Sequence, residues 1–127
     1  MAKKILVVDD DLFIRELYIE LLKKEGYEVD SAINGEEGLQ KLLTGGYDLT
    51  LLDLMMPKLN GMGVLEALLT KTPLEKNGPI ILLTNRDPDA LIEEGLKKGA
   101  ASFLVKADLN PDQLLENIKK LLVDLPK

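Results

Sequence analysis

Lys4-Ile-Leu-Val-Val-Asp-Asp-Asp11 decides the reading of this 127-residue chain: a short aliphatic run without polar alternation, cut off by three consecutive acids. A strand buried on one face alternates apolar with polar residues, whereas an unbroken run signals a strand covered on both faces, as in a parallel sheet. Four further short segments, Glu28–Ser31, Leu49–Leu52, Ile80–Leu83 and Ser102–Val105, complete a set of five expected strands. Amphipathic stretches separate them and predict helices over residues 11–25, 35–44, 62–70, 88–98 and 111–123.

Local chemistry marks several helix ends. Asp87-Pro88 and Asn110-Pro111 each set an N-cap residue before a proline whose missing N–H does no harm at the first helical position. Gly26 follows Lys23-Lys24-Glu25, and Gly99 follows Lys97-Lys98, which is a basic last turn closed by glycine. Five βα units with right-handed crossovers predict a doubly wound α/β sandwich, with its ligand site beyond the carboxyl ends of the strands.

Bulk composition narrows the chemistry. The length suits one domain with no room for an attached output module, and 46% hydrophobic with 30% charged residues describes a chain that folds by itself. The absence of cysteine and histidine excludes disulfides, thiol catalysis and imidazole bases, leaving carboxylates, hydroxyls and amines. A net charge of −6 argues against direct nucleic-acid binding. The first apolar run is too short for a signal peptide or a bilayer span, which predicts a cytoplasmic protein without a membrane partner.

At the expected strand ends, Asp9, Asp10 and Asp11 follow the first run and Asp53 follows Leu49-Thr-Leu-Leu52. Carboxylates gathered on a low-dielectric rim repel one another, and a hard divalent cation, Mg²⁺ or Mn²⁺, relieves that repulsion. Asp11 is expected as an ordinary helix N-cap. The fourth run ends at Thr84 and the fifth at Lys106, adding a hydroxyl and an ammonium opposite the acids. A metal-ready acid cluster with one hydroxyl and one lysine suits phosphoryl transfer to a carboxylate.

The strings Ile5-Leu-Val-Val-Asp-Asp10, Leu52-Asp-Leu-Met-Met-Pro-Lys-Leu-Asn-Gly61, Leu83-Thr84 and Gly99-Ala-Ala-Ser-Phe-Leu-Val-Lys106 resemble, in order, the signatures of the receiver domain of two-component response regulators. The resemblance covers essentially residues 1–127 and implies a flavodoxin-like (βα)5 fold with strand order 2-1-3-4-5. It also implies that Asp53 accepts a phosphoryl group from a histidine kinase or histidine phosphotransfer protein. By the same resemblance, Asp9, Asp10, Asp53 and the Met55 carbonyl hold the metal, while Thr84, Lys106 and the N–H groups of Met55 and Asn85 bind phosphoryl oxygens. Thr84 and Phe103 form the switch that alters the face of helix 4, strand 5 and helix 5 for a downstream target. The protein is then a phosphoacceptor rather than an enzyme, monomeric, with dimers conceivable on phosphorylation.

This chain departs from the family in three places: Phe103 stands where Tyr is frequent, Ala107 where Pro is usual, and Asn85 where a small residue is usual. A trans bond is expected before Ala107, because a non-proline cis bond costs about 2.5–4 kcal/mol. A haloacid-dehalogenase-type phosphatase with Asp9 as nucleophile is the competing assignment, but it needs a further acidic pair that Leu83-Thr84-Asn85 does not supply. A flavodoxin-like cofactor binder needs a phosphate-cradling first loop, which three acids would oppose. On the first helix Ile14, Leu17, Tyr18 and Leu21 share a stripe expected to face the core, and Leu12 and Phe13 fall off it. These two are candidate contacts for the phosphodonor, or else a hydrophobic staple over the adjoining turn.

Overall fold

The five apolar runs form five parallel strands, β1 (Lys4–Val8), β2 (Glu28–Ala32), β3 (Leu49–Asp53), β4 (Ile80–Thr84) and β5 (Ser102–Val105), in the order β2-β1-β3-β4-β5. Five helices connect them and close the fold: α1 (Leu12–Lys24), α2 (Gly35–Thr44), α3 (Gly61–Thr70), α4 (Ala90–Lys97) and α5 (Pro111–Asp124). The structure, a computed structural model, describes residues 3–56, 58–84, 90–106 and 110–124. The helix start expected at Asp87-Pro88, the loop residue Asn85 and the Ala107 peptide bond lie outside the described residues.

Strand side chains alternate between two cores, which explains why the strands read as unbroken apolar runs. Ile5, Val7, Leu49, Leu51, Ile81 and Leu83 pack with Tyr18, Leu22, Leu114 and Ile118 of α1 and α5. Leu6, Val8, Leu52 and Leu82 pack on the other face with Leu39, Leu42, Val64, Leu65 and Ile92 of α2, α3 and α4.

The caps form as their residue types predict. Asp11 Oδ1 accepts the Ile14 N–H at 3.1 Å, and Asn110 and Gln113 cap each other reciprocally at 2.9 and 3.0 Å. After α1, Gly26 sits at φ +91° while the Tyr27 N–H donates to the Leu22 carbonyl. After α4, Gly99 sits at φ +117° and the Ala100 N–H reaches the Gly95 carbonyl. Both are left-handed closures that a side chain would strain.

Of the stripe expected on α1, Tyr18 is buried and Ile14 and Leu21 pack against the same core, whereas Leu17 does not. Leu17 is 41% exposed, and the buried face runs through Arg15, Tyr18 and Leu22 at i, i+3 and i+7. A charged residue occupies a core-facing position near the start of the helix, so a count of apolar residues alone includes Leu17 and overlooks Arg15.

Register carries the fold into the site. Val8 pairs with Leu52, which sets Asp9 level with Asp53; Asp53 pairs with Leu83, which sets Thr84 one step further; and Thr84 pairs with Val105, which sets Lys106 a step further still. Asp53 is itself the last residue of β3, and the first turn of α3 packs straight onto its backbone. A Cβ at Gly61 would stand 2.6 Å from the Asp53 carbonyl oxygen and 3.0 Å from Leu54 Cα, both backbone atoms with little freedom to yield. Gly61→Ala is therefore expected to lower stability by about 1–3 kcal/mol through overpacking, measured by urea denaturation. An unchanged midpoint would show that α3 is free to shift away from the strand end.

Candidate functional site

Beyond the ends of β1, β3 and β5 lies a cleft of ≈ 620 Å³ lined by Asp9, Asp10, Asp11, Ile14, Asp53, Met55 and Lys106. Asp9 is fully buried and Asp53 is 4% exposed, whereas Asp10 faces solvent. Oxygens of Asp9, Asp10 and Asp53 all lie within 4.8 Å of one another. Buried carboxylates this close need compensation. Lys106 supplies it, donating to Asp9 Oδ2 at 2.7 Å and standing 3.3 Å from Asp53 Oδ2.

Asp9 is held at its N–H and at both carboxylate oxygens: the N–H donates to the Ala32 carbonyl, Oδ1 accepts the Asp11 N–H at 2.9 Å, and Oδ2 takes Lys106. Its backbone carbonyl accepts from Arg15 Nη1 at 2.9 Å. Asp53 is held more lightly, with the Met55 N–H donating to Oδ1 at 3.3 Å. That difference disfavours the haloacid-dehalogenase alternative, since Asp9 is fully buried with contacts of 2.9 and 2.7 Å at its two oxygens, whereas both contacts to the Asp53 oxygens are 3.3 Å.

Burial, followed by the Asp9 charge, pushes the Asp53 carboxyl up to about 6, although Lys106 and the Met55 N–H pull the other way. Burial alone would lower the Lys106 ammonium, but its hydrogen bond to Asp9 and the two carboxylate charges outweigh that and raise it. The Tyr18 phenol is raised by burial against the partial opposition of Lys106. Two acids thus share one lysine, and the charge left over is what a cation would balance. An open, all-oxygen donor set with one solvent-facing member fits Mg²⁺, which keeps several of its waters and takes one or two carboxylates.

The remaining candidates take the following places. Thr84 is buried at the end of β4 and Phe103 is half-buried against the α2, α3 and α4 core, so neither is among the described residues lining the cleft. Met55 lines it and is exposed. Leu12 and Phe13, 61% and 88% exposed, stand in the first turn of α1 directly after the acids, without the burial that a closed staple would give them. Arg15 is the functional candidate that sequence reasoning missed. Its signal was a charged residue in phase with the buried Tyr18 and Leu22.

The strand order β2-β1-β3-β4-β5, with carboxylates and a lysine at the strand ends, agrees with the receiver-domain resemblance of the sequence. The profile of the response regulator receiver domain matches residues 5–119, and the chain belongs to that family. It is 40% identical over 119 residues to the transcriptional regulatory protein ResD of Bacillus subtilis, a match spanning 94% of this chain and 48% of ResD. It is 34% identical to the chemotaxis protein CheY of Treponema pallidum, across 94% of this chain and 82% of that protein. The chain spans about half the length of the transcriptional regulators it matches. Among solved structures, the Vibrio cholerae chemotaxis response regulator CheY4 superposes with a TM-score of 0.84 at 31% identity, covering 95% of this chain and 99% of that one. The response regulator TrrA of Thermotoga maritima, solved in complex with Mg²⁺-BeF, gives 0.76 at 43% identity, covering 94% and 98%. Among the described residues no helix is long and apolar enough to cross a membrane.

Raising the Asp53 carboxyl has a defined consequence for stability. Between the unfolded value of 3.8 and the folded value of about 6 the native state holds the proton more tightly, so stability falls as pH rises through that window. Asp53→Asn removes this cost. In chelator-treated protein the substitution is expected to stabilise by about 1–2 kcal/mol above pH 7. The gain should vanish below pH 4. Thermal melts of both proteins across pH 4 to 8 check this, and a gain independent of pH would contradict the assigned cause.

Proposed function

We propose that Asp53 accepts a phosphoryl group in a Mg²⁺-dependent reaction. The observation that carries the reading is the position of Asp53 at the mouth of β3, its Oδ2 3.3 Å from the Lys106 ammonium and its carboxylate grouped with those of Asp9 and Asp10. In the transfer, an Asp53 oxygen forms a bond to phosphorus as the P–N bond of a phosphohistidine donor breaks, and the electron pair of that bond leaves with the imidazole. Asp9, Asp10, Asp53 and the Met55 carbonyl would hold the metal, which supplies charge neutralisation for the transferring group.

The chain's own residues do the rest. Lys106, already at the acids, turns part of its charge toward a phosphoryl oxygen, and the Met55 N–H that now meets Asp53 Oδ1 is placed to donate to another. Thr84, at the adjoining strand end, moves toward the new dianion, and Phe103 repacks beneath α4. The new charge thereby alters the face formed by α4, β5 and α5. The group is made and lost on the protein itself, so the domain works as a switch rather than as a catalyst acting on a separate substrate.

Leu12 and Phe13 form an exposed apolar step beside the cleft, suited to the helix of a histidine kinase or phosphotransfer protein that must bring its imidazole to Asp53. With a net charge of −6 the domain signals to a protein target rather than to nucleic acid directly. The relative TrrA, solved with Mg²⁺-BeF, supports Mg²⁺ as the metal.

Incubation with acetyl phosphate and Mg²⁺, followed by intact-mass measurement, should show one added phosphoryl group on the wild type, none on Asp53→Asn, and far less on Asp10→Asn or without metal. In a parallel reaction with a phosphorylated kinase, Leu12→Ser plus Phe13→Ser should slow labelling by at least about tenfold, the loss of one hot-spot contact, and leave the acetyl phosphate reaction unchanged. Labelling that persists in Asp53→Asn would refute the acceptor assignment, and equal effects on both donors would remove the docking role.

A further inference from the structure

Arg15 is a charged residue on the buried face of α1, 9% exposed, in a helix whose other buried residues are Tyr18 and Leu22. Burying a guanidinium is costly, and the hydrogen bond it makes shows what the position obtains in return. Arg15 Nη1 donates to the Asp9 backbone carbonyl at 2.9 Å. That carbonyl lies one residue past the last paired position of β1, beyond the ladder to β2 and β3. A buried carbonyl there requires a donor, and Arg15 provides it from six residues further along the chain.

The carbonyl also sits at a sensitive place. It belongs to the rigid peptide plane that joins Asp9 to Asp10, so any rotation of that plane changes ψ of Asp9 and φ of Asp10 together. Two of the three acids grouped at the cleft hang from its two ends. Asp9 is otherwise tied by its N–H to the Ala32 carbonyl and through its side chain, by the Asp11 N–H to Oδ1 and by Lys106 to Oδ2, and Asp10 faces solvent. Among the described residues, the Arg15 bond is the one that acts on the plane between them.

We propose that Arg15 is a positioning residue for the metal site: by pinning the Asp9–Asp10 peptide plane it fixes the spacing and direction of both carboxylates toward Asp53. This rests on the metal reading of the acid cluster and adds the residue that sets its geometry. Arg15 touches neither the metal nor the phosphoryl group. Its effect is read in metal affinity, because Mg²⁺ demands near-ideal octahedral geometry and tolerates misplaced ligands poorly.

The test measures the Mg²⁺ Kd of the full chain by calorimetry, together with the Mg²⁺-induced amide shifts of Asp9 and Asp10 by ¹⁵N NMR. Four proteins are compared: wild type, Arg15→Met, Arg15→Lys and Leu22→Val. Arg15→Met keeps the apolar stem without a donor and should weaken Mg²⁺ by at least about tenfold, as loss of a residue supporting a metal ligand does. Arg15→Lys restores a single donor, which is all this carbonyl uses, and should return the Kd to within about threefold of wild type. Leu22→Val loosens the same helix face without touching the carbonyl, and should lower the melting temperature while leaving the Kd unchanged. Should Arg15→Met fail to fold, Arg15→Gln replaces it with the same expected loss, since its amide falls short of the carbonyl. Wild-type affinity in Arg15→Met, or an equal loss in Leu22→Val, overturns the positioning role while leaving the metal reading intact. A wild type that binds no Mg²⁺ overturns both.

Discussion

One ammonium between two buried carboxylates sets the terms for the rest of this structure. Lys106 meets Asp9 at 2.7 Å and Asp53 at 3.3 Å, and with Asp10 at the same rim the site keeps an excess of negative charge where water is scarce. Such an arrangement is poised rather than settled. It costs stability while it is empty of a cation, and it converts that cost into affinity for whatever positive or phosphoryl group relieves it. The fold exists to hold these groups at that tension: the parallel register brings the strand ends level, and two apolar cores keep the strands from yielding.

Much of that scaffold could be read from residues alone, because the controlling signals are local. Unbroken aliphatic runs report burial on both faces, and Asn110-Pro111, Gly26 and Gly99 report helix ends through backbone chemistry that needs no distant partner. The strand ends at Asp53 and Thr84 were legible for a similar reason, since a polar residue closing an apolar run has to lie at the boundary of the core.

What stayed hidden depends on where helices settle against the sheet. The α1 stripe was placed through Leu17, which is exposed, while Arg15 turns inward and donates to the Asp9 carbonyl at the end of β1. No count of apolar residues contains that contact. Equally, the sequence put Lys106 and the acids on one rim without revealing that the lysine bonds Asp9 more closely than Asp53, which is a matter of how far the β5 end overshoots the β3 end. Leu12 and Phe13 fall off the stripe expected from the sequence and are exposed, although Leu12 stands only three residues before the buried Arg15.

The most direct test of this account is a ¹³C NMR titration of the Asp53 side-chain carboxyl, first in metal-free protein and then with saturating Mg²⁺. The midpoint is expected at about 6 without metal, falling to the ordinary carboxylate range or below once the cation balances the acids. A midpoint already in the ordinary range without metal, and unmoved by Mg²⁺, would contradict it.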